Sequence, residues 1–159
     1  MKRMLLMLAA ATLVGCSGAS APPPAHTPTP PHPSVRVDLR VVDPDGPVVV
    51  QWKGERLALR APALATRADI VDVSVDPGAG YPGINFTFSP AAGERLGRAT
   101  PDLLMKKVAL TVNDQVLTVA TVSGPFADAL QVRGMDASEA QVRAVARYIT
   151  EGGPPAALP

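Results

Sequence analysis

The chain has 159 residues, in which 15 lysine and arginine residues nearly balance 14 aspartate and glutamate residues. A formal net charge of +1 offers no electrostatic basis for binding nucleic acid or anionic lipid, and the length suits one domain with a real core. Cys16 is the sole cysteine of the sequence, so no internal disulfide can form.

The first fifteen residues have the pattern of a signal peptide. Lys2 and Arg3 form a positively charged start, and residues 4–14 form an uninterrupted stretch of apolar or small side chains. About eleven helical residues at ~1.5 Å each are too short to cross a bilayer, so residues 1–15 are predicted to be a signal peptide and not a membrane helix. No other segment of the sequence approaches the ~18 consecutive apolar residues that a membrane helix needs.

The apolar stretch ends in Leu13-Val14-Gly15-Cys16, which resembles the lipobox of bacterial lipoproteins. This resemblance implies that the thiol of Cys16 is acylated with fatty acids such as palmitate, and that cleavage makes Cys16 the new N-terminus. The lipid bilayer is then a predicted partner, because two or three acyl chains anchor a protein far more firmly than one. The alternative is a plain secretory signal followed by a free or buried cysteine.

Ser17 follows the predicted acylated cysteine, at a position where aspartate would suggest retention in the inner membrane. In a Gram-negative cell, this serine resembles that of lipoproteins sorted onward to the outer membrane. We therefore expect a lipid-anchored protein of the cell envelope that faces the periplasm.

Residues 16–34 are predicted to be a tether between the acylated cysteine and the folded domain. Prolines dominate this segment and favour the extended polyproline II conformation, which at ~3.1 Å per residue would hold the domain up to about 55 Å from the anchor. His26 and His32 both lie here. A metal site would need further ligands and a means of bringing them together, so both histidines are interpreted as solvated tether residues.

Residues 35–159 are predicted to form one α+β domain. The first strand is indicated by Val35, Val37, Leu39 and Val41, which alternate with polar residues in the period of a half-buried strand. Two further strands at 48–52 and 57–59 are expected to complete a meander with it. Similar patterns predict strands at 71–75, 84–88, 108–112, 116–121 and 130–132, with a two-residue turn at Asn113-Asp114.

Two helices complete the prediction. Ser89-Pro90 is typical of a helix start, and that helix is expected to end near Ala99. Asp136 and Glu139 have capping-box spacing for a final helix, which a glycine at position 152 can terminate. Its apolar stripe consists of Val142, Val145, Ala146 and Ile149. Mostly antiparallel strands with two main helices packed on one face define the predicted fold class.

Asp69, Asp72 and Asp76 raise the question of a cation site. The favoured interpretation is that Asp69 caps a short helical turn begun by Thr66, while Asp72 and Asp76 lie on the solvent face of a strand. No metal or cofactor site is therefore predicted.

The stretch from Thr100 to Thr118 resembles a segment of SecD, the protein-export membrane protein that works with SecF. It has a threonine, an apolar strand, a two-residue turn and a second strand in the order of the head subdomain of SecD's first periplasmic domain. Leu103 and Met105 depart from the asparagine and glycine usual in that family. The match covers about residues 56–159 and includes the segments 84–94, 134–140 and 152–158.

The resemblance implies a module that binds polypeptides, because the head of SecD is thought to hold emerging preprotein. The membrane helices through which SecD couples proton flow to export have no counterpart in this sequence, so no proton-driven motor is expected. No catalytic motif is present, and the protein is not predicted to be an enzyme. The predicted partner is an unfolded or extended polypeptide or an envelope protein, bound at a sheet edge or groove. The alternative is an accessory lipoprotein of an envelope complex that binds no client.

Overall fold

The strands of the domain are divided among three antiparallel sheets, as a computed structural model shows for residues 26–78, 81–126, 128–133 and 137–154. Cys16 and the predicted signal peptide lie outside these described residues. The elements in chain order are β1 (Val37–Val41), β2 (Val48–Trp52), β3 (Glu55–Leu59), β4 (Ala65–Thr66), a 3-10 turn (Arg67–Asp69), β5 (Ile70–Asp76), β6 (Gly83–Phe88), α1 (Pro90–Leu103), β7 (Lys107–Val112), β8 (Gln115–Thr121), β9 (Ala129–Val132) and α2 (Glu139–Glu151).

The largest sheet has the strand order β4-β1-β7-β8. The alternating apolar residues of β1 are buried as predicted, since Val37 and Leu39 are at most 2% exposed. Asn113 and Asp114 have φ values of 46° and 65° and form the predicted tight turn between β7 and β8. The hairpin that follows places β8 at one border of the sheet.

The predicted meander of the first three strands is wrong. β1 pairs with β4 and β7, whereas β2 and β3 form a separate hairpin. This hairpin turns back over the four-stranded sheet, and Val50 and Leu59 pack with Ala109 and Val116 in a second, smaller core. Burial of these apolar side chains favours packing of the hairpin against the four-stranded sheet over its addition to the edge of that sheet.

The third sheet has the strand order β5-β6-β9. Ile84, Phe86 and Phe88 of its central strand are at most 3% exposed, which confirms the predicted core face. A bulge at Val71 in β5 leaves that side chain 39% exposed instead of on the predicted core face. Asp72 pairs with Thr87 and so keeps its predicted face, opposite the core side chains of Val73 and Phe86. A single extra residue shifts all preceding side chains to the other face, because strand side chains alternate.

Both helices contribute to the main core together with the two larger sheets, which confirms the α+β prediction. The helix α1 begins at the predicted Ser89 cap but continues to Leu103, four residues beyond expectation. Pro101 lies in its last turns, where the helical bond from the Leu104 N–H to the Thr100 carbonyl (3.0 Å) is kept and Leu103 is buried. Packing of the Leu103 side chain outweighs the loss of the backbone N–H donor that proline lacks at position 101.

The start of α2 also differs from the prediction. Ser138 is the N-cap: its N–H donates to the Gln141 side chain (2.8 Å), and the Gln141 N–H donates to the Ser138 hydroxyl (3.3 Å). Asp136 lies outside the described residues. The helix ends as predicted at Gly152, which has a φ of 74°. No helix within the described part of the chain is long and apolar enough to cross a membrane.

Residues 26–34, which we call the docked segment, contact the domain instead of forming a free tether. The His32 N–H donates to the Ile149 carbonyl (2.8 Å), and the Val73 N–H donates to the Thr29 carbonyl (2.9 Å). Pro31 is buried. The predicted boundary at residues 34 and 35 therefore does not separate packed from unpacked chain.

Candidate functional site

The borders of the sheets are the first places to search for a polypeptide-binding site. A border strand has backbone N–H and C=O groups that no neighbouring strand pairs, and these can bind another extended chain. The four-stranded sheet ends in β4 and β8, and the three-stranded sheet ends in β5 and β9. Because β4 has only two residues, the longer borders of these two sheets are β5, β8 and β9. These three borders differ in what lies beside them.

The outward backbone groups of β9 belong to Ala129 and Gln131. The Phe88 N–H donates to the Asp128 carbonyl (2.7 Å), which fixes the phase of the ladder between β6 and β9. Alternate residues of an antiparallel strand direct their N–H and C=O groups to opposite sides. Leu130 and Val132 therefore pair with β6, and the groups of Ala129 and Gln131 lie on the side where the described residues form no further strand.

The same argument applies to the end of β8. The Val122 N–H donates to the Lys106 carbonyl (2.9 Å), and Ala120 continues that ladder opposite Val108. Thr121, between them, directs its backbone groups to the outer side of the four-stranded sheet. Two unpaired strand borders from two different sheets thus come close to each other.

Between these borders lies a surface groove of about 280 Å³, which we call the open-edge groove. Its wall includes Thr121 from β8 and the β9 residues Ala129 and Gln131, whose outward backbone groups were described above. Apolar side chains predominate in the rest of the lining. The complete lining is Val108, Ala120, Thr121, Val122, Ser123, Gly124, Pro125, Phe126, Ala129, Leu130 and Gln131.

The loop that forms the floor of the groove is held by α1. Thr100 is 5% exposed, and its hydroxyl accepts a hydrogen bond from the Phe126 N–H (3.0 Å) while donating to the Leu96 carbonyl (3.0 Å). Because buried hydrogen bonds fix geometry strongly, this part of the loop is preformed. The groove is therefore available without a large ordering cost.

The border of β5 is covered by the docked segment. Alternation places the N–H of Val73 on the outer side of β5, where it donates to Thr29. The Thr29 N–H in turn donates to a carboxylate oxygen of Asp72 (2.7 Å). A segment of the chain itself thus occupies the position that an added strand would take.

Asp72 is the centre of this contact, contrary to the prediction that it lies on a solvent face. It is 7% exposed, and Nε2 of His26 lies 3.0 Å from both of its carboxylate oxygens. Burial of a carboxylate is costly unless donors compensate it, and here a backbone amide and an imidazole do so. His26 therefore contacts the domain instead of being a solvated tether residue.

The other two carboxylates of the predicted group are also bound by protein donors. Asp69 accepts the Thr66 N–H (2.8 Å) and pairs with Arg95 (2.8 Å), which confirms its capping role. Partial burial works to raise the pKa of the Asp69 carboxyl, but these hydrogen bonds outweigh it and hold the pKa below its usual value. Asp76 accepts from Gln131 (2.9 Å) and pairs with Arg133. The described residues contain no group of three potential metal ligands.

Fold and groove together define an α+β domain with an open surface site between two sheet borders. The chain belongs to the SecDF P1 head subdomain family, whose model matches residues 45–153. The match starts before residue 56, so it also includes β2, which the sequence resemblance left out. No curated protein matches the chain.

Two solved structures show the same fold. One is SecDF, described as a membrane component that enhances protein export, with a TM-score of 0.59 and 18% identity over 77% of this chain and 64% of that one. The other is SecDF in a super-membrane-facing form, with a TM-score of 0.52 and 16% identity over 65% of this chain and 17% of that one. The chain spans less than two thirds of the length of each.

The docked segment and the open-edge groove were not predicted from the sequence in this detail. Nothing local signals that Asp72 is buried, because the residues that cover it, His26 and Thr29, lie more than forty positions earlier in the chain. The proline content of residues 26–34 hides their contacts, since prolines equally favour a solvated chain. The unpaired side of β9 depends on strand order, which short-range patterns do not specify.

Proposed function

We propose that the protein is a lipid-anchored, periplasm-facing module of the cell envelope that binds extended polypeptide segments at the open-edge groove. It has no catalytic role and needs no cofactor in this proposal. The observation that carries the proposal is that two unpaired strand borders, those of β8 and β9, line the same largely apolar groove. An added strand would gain backbone hydrogen bonds from the border residues and apolar contacts from the lining.

The place of this activity in protein export is part of the same proposal. The solved SecDF structure to which the chain is similar is described as enhancing protein export. An export-related role for this chain means that its ligand is a polypeptide which has not yet folded, because such chains have free backbone groups for strand addition.

A proline at position 129 tests the binding site. The outward N–H of Ala129 is not part of the β6–β9 ladder, so Ala129→Pro removes a donor to the ligand while the sheet keeps its hydrogen bonds. We expect the melting temperature to change by only a few degrees and the affinity for a labelled ten-residue extended peptide to fall severalfold, as measured by fluorescence anisotropy.

The matched control is Ala91→Pro. Ala91 is exposed in the first turn of α1, where proline is tolerated, and it does not line the groove. Equal peptide affinity of wild type, Ala129→Pro and Ala91→Pro, with all three folded, would place any binding elsewhere. Failure of the wild type to bind any extended peptide would instead favour an accessory lipoprotein without a client.

The lipid anchor is tested separately through Cys16. Its place after Leu13-Val14-Gly15 supports acylation, which Cys16→Ser removes. We expect the wild type to sediment with membranes after a high-salt wash and the variant to be unprocessed or released. A Cys16→Ser protein that is processed and still remains with the washed membranes would contradict the proposal of a lipid anchor.

A further inference from the structure

Two large apolar side chains protrude from the surface at the end of α1. Leu104 is 48% exposed and Met105 is 79% exposed, and the two are consecutive in the chain. The other large apolar residues of comparable exposure among the described residues are isolated from one another in sequence: Val49, Val71 and Tyr81. Single exposed apolar residues are common on protein surfaces, but an adjacent pair beside a groove indicates an interaction surface.

The backbone N–H groups of this pair and of the residue that follows all donate hydrogen bonds. The Leu104 N–H donates to the Thr100 carbonyl (3.0 Å), and the Met105 N–H donates to the Val122 carbonyl (2.9 Å). The Lys106 N–H donates to the Leu103 carbonyl (2.9 Å). The exposure of the two side chains therefore reflects an ordered turn, which we call the apolar turn (residues 104 and 105).

Met105 adopts a backbone conformation that favours glycine, with a φ of 63°. A side chain at such a position is strained, and strained positions in folded proteins concentrate at functional sites. Methionine contributes nothing to the core here, because most of its surface is in contact with solvent. Its unbranched, polarisable side chain is well suited to packing against apolar partners of varied shape.

The apolar turn adjoins the open-edge groove. Val122, which accepts the Met105 N–H, lines the groove, and so do its neighbours Ser123 and Gly124. Leu104 and Met105 are not themselves lining residues of the groove. A polypeptide strand that runs past Val122, Ser123 and Gly124 would meet the turn there.

We propose that the apolar turn is the specificity element of the groove, and that it selects extended segments carrying large apolar side chains such as leucine or phenylalanine. This inference rests on the proposed polypeptide-binding function and names the ligand class for it. Backbone pairing with β9 binds any extended sequence, whereas Leu104 and Met105 add affinity only where the ligand has an apolar side chain to bury.

Met105→Gly separates this role from a structural one. Glycine accommodates a φ of 63° without strain, so the melting temperature should be unchanged or higher. Affinity for a ten-residue extended peptide with two leucines should nevertheless fall about tenfold, equivalent to about 1.4 kcal/mol. A peptide of the same length with alanines in place of the leucines should bind weakly, and equally, to wild type and variant.

Tyr81→Ser serves as the control, because Tyr81 is 71% exposed and does not line the groove. Its affinity for the leucine peptide should equal that of the wild type. If Met105→Gly binds the leucine peptide as tightly as the wild type does, while Ala129→Pro weakens it, the specificity role is overturned and the groove still stands. A wild type that binds neither peptide overturns both proposals, and an equal loss for both peptides overturns the selection for apolar side chains.

Discussion

Among the described residues, one border of the three-stranded sheet is covered by the chain and the other is open. At β5 the outer N–H of Val73 is bound by the docked segment, whereas at β9 the outer groups of Ala129 and Gln131 face a groove. Both strands belong to the same sheet and pair with the same central strand, so strand pairing does not cause the difference. Within the described part of the chain, residues 26–34 therefore cover one border of the sheet and nothing covers the other.

The sequence of the docked segment explains why it can cover a border without inviting a further strand. Thr29 lies between Pro28 and Pro30, and Pro31 follows, so only Thr29 in this run has an N–H to donate. That N–H is used by Asp72. Proline-rich cover of a sheet border is a recognised means of preventing unwanted strand pairing.

The surroundings of the two borders also differ in charge. A groove of about 490 Å³ lies between β5 and α2, and its lining includes Arg143, Arg147 and Glu151 together with His26 of the docked segment. The open-edge groove has no charged residue in its lining. Apolar side chains of an unfolded polypeptide are therefore better accommodated at β9 than at β5.

Docking also shortens the expected reach of the tether. Only the nine residues 17–25 separate Cys16 from His26, and at ~3.1 Å per residue they extend about 28 Å. The reach of about 55 Å expected from residues 16–34 is therefore too long. If Cys16 is acylated, the anchor leads to the β5 border, and the open-edge groove lies across the sheet from it.

The largest effect is expected from a charge in the core beside the covered border. Ile149 is fully buried, and its carbonyl accepts the His32 N–H. Ile149→Asp places an unpaired carboxylate there, at a cost comparable to a typical domain stability of ~5–15 kcal/mol. We expect unfolding or aggregation, measured by circular dichroism and size-exclusion chromatography. Ala144→Asp, at an exposed position of α2, is the control and should remain folded.

A soluble Ile149→Asp protein with an unchanged melting temperature would mean that the apolar stripe of α2 faces outward. The stripe would then be an interaction surface, and the comparison between a covered and an open border would lose its basis.

Deletion of the docked segment should have the next largest effect. Residues 26–34 make several hydrogen bonds to the domain, each contributing ~0.5–1.5 kcal/mol, and bury Pro31. We expect a loss of about 2–5 kcal/mol in the free energy of unfolding and a melting temperature lower by roughly 10 °C. An inert tether would have predicted a loss of no more than a few degrees.

The control for this deletion is removal of residues 17–25, which takes away none of these contacts. Both proteins are compared by thermal denaturation in the same buffer. Equal melting temperatures for the two deletions would show that the docked segment contributes nothing to stability.

Asp72→Asn should have a smaller effect on the same border. The amide keeps the shape of the side chain but loses the charge that binds His26 and strengthens the bond from the Thr29 N–H. We expect a loss of about 1–2 kcal/mol in urea unfolding, because His26 is itself largely exposed and screened by solvent. Hydrogen exchange at the Val73 amide should accelerate, since Thr29 is then held less firmly.

Asp45→Asn, an exposed change in the β1–β2 loop, is the matched control and should leave both measurements unchanged. Unaltered exchange at Val73 in Asp72→Asn would indicate that Pro31 and His32 alone hold the segment in place. The border of β5 would then remain covered for a reason other than the Asp72 contact.

Local rules predicted most elements but failed where two of them competed. Asp136 with Glu139 and Ser138 with Gln141 both have capping-box spacing, and the structure uses the second pair. The alternation of β5 predicted a core-facing Val71, but the bulge there turned this side chain outward. In both cases the choice depended on packing of the whole element, which neighbouring residues do not determine.

By itself, the sequence determined the α+β class, most of the strands, the Asn113-Asp114 turn and the start of α1, because each depends on residues a few positions apart. Only the tertiary structure decided which sheet borders are covered. His26 and Asp72 are 46 residues apart, and Met105 meets the groove through a bond to Val122. Contacts between such distant residues depend on strand order and on the packing of sheets and helices, which no periodicity within a single element specifies.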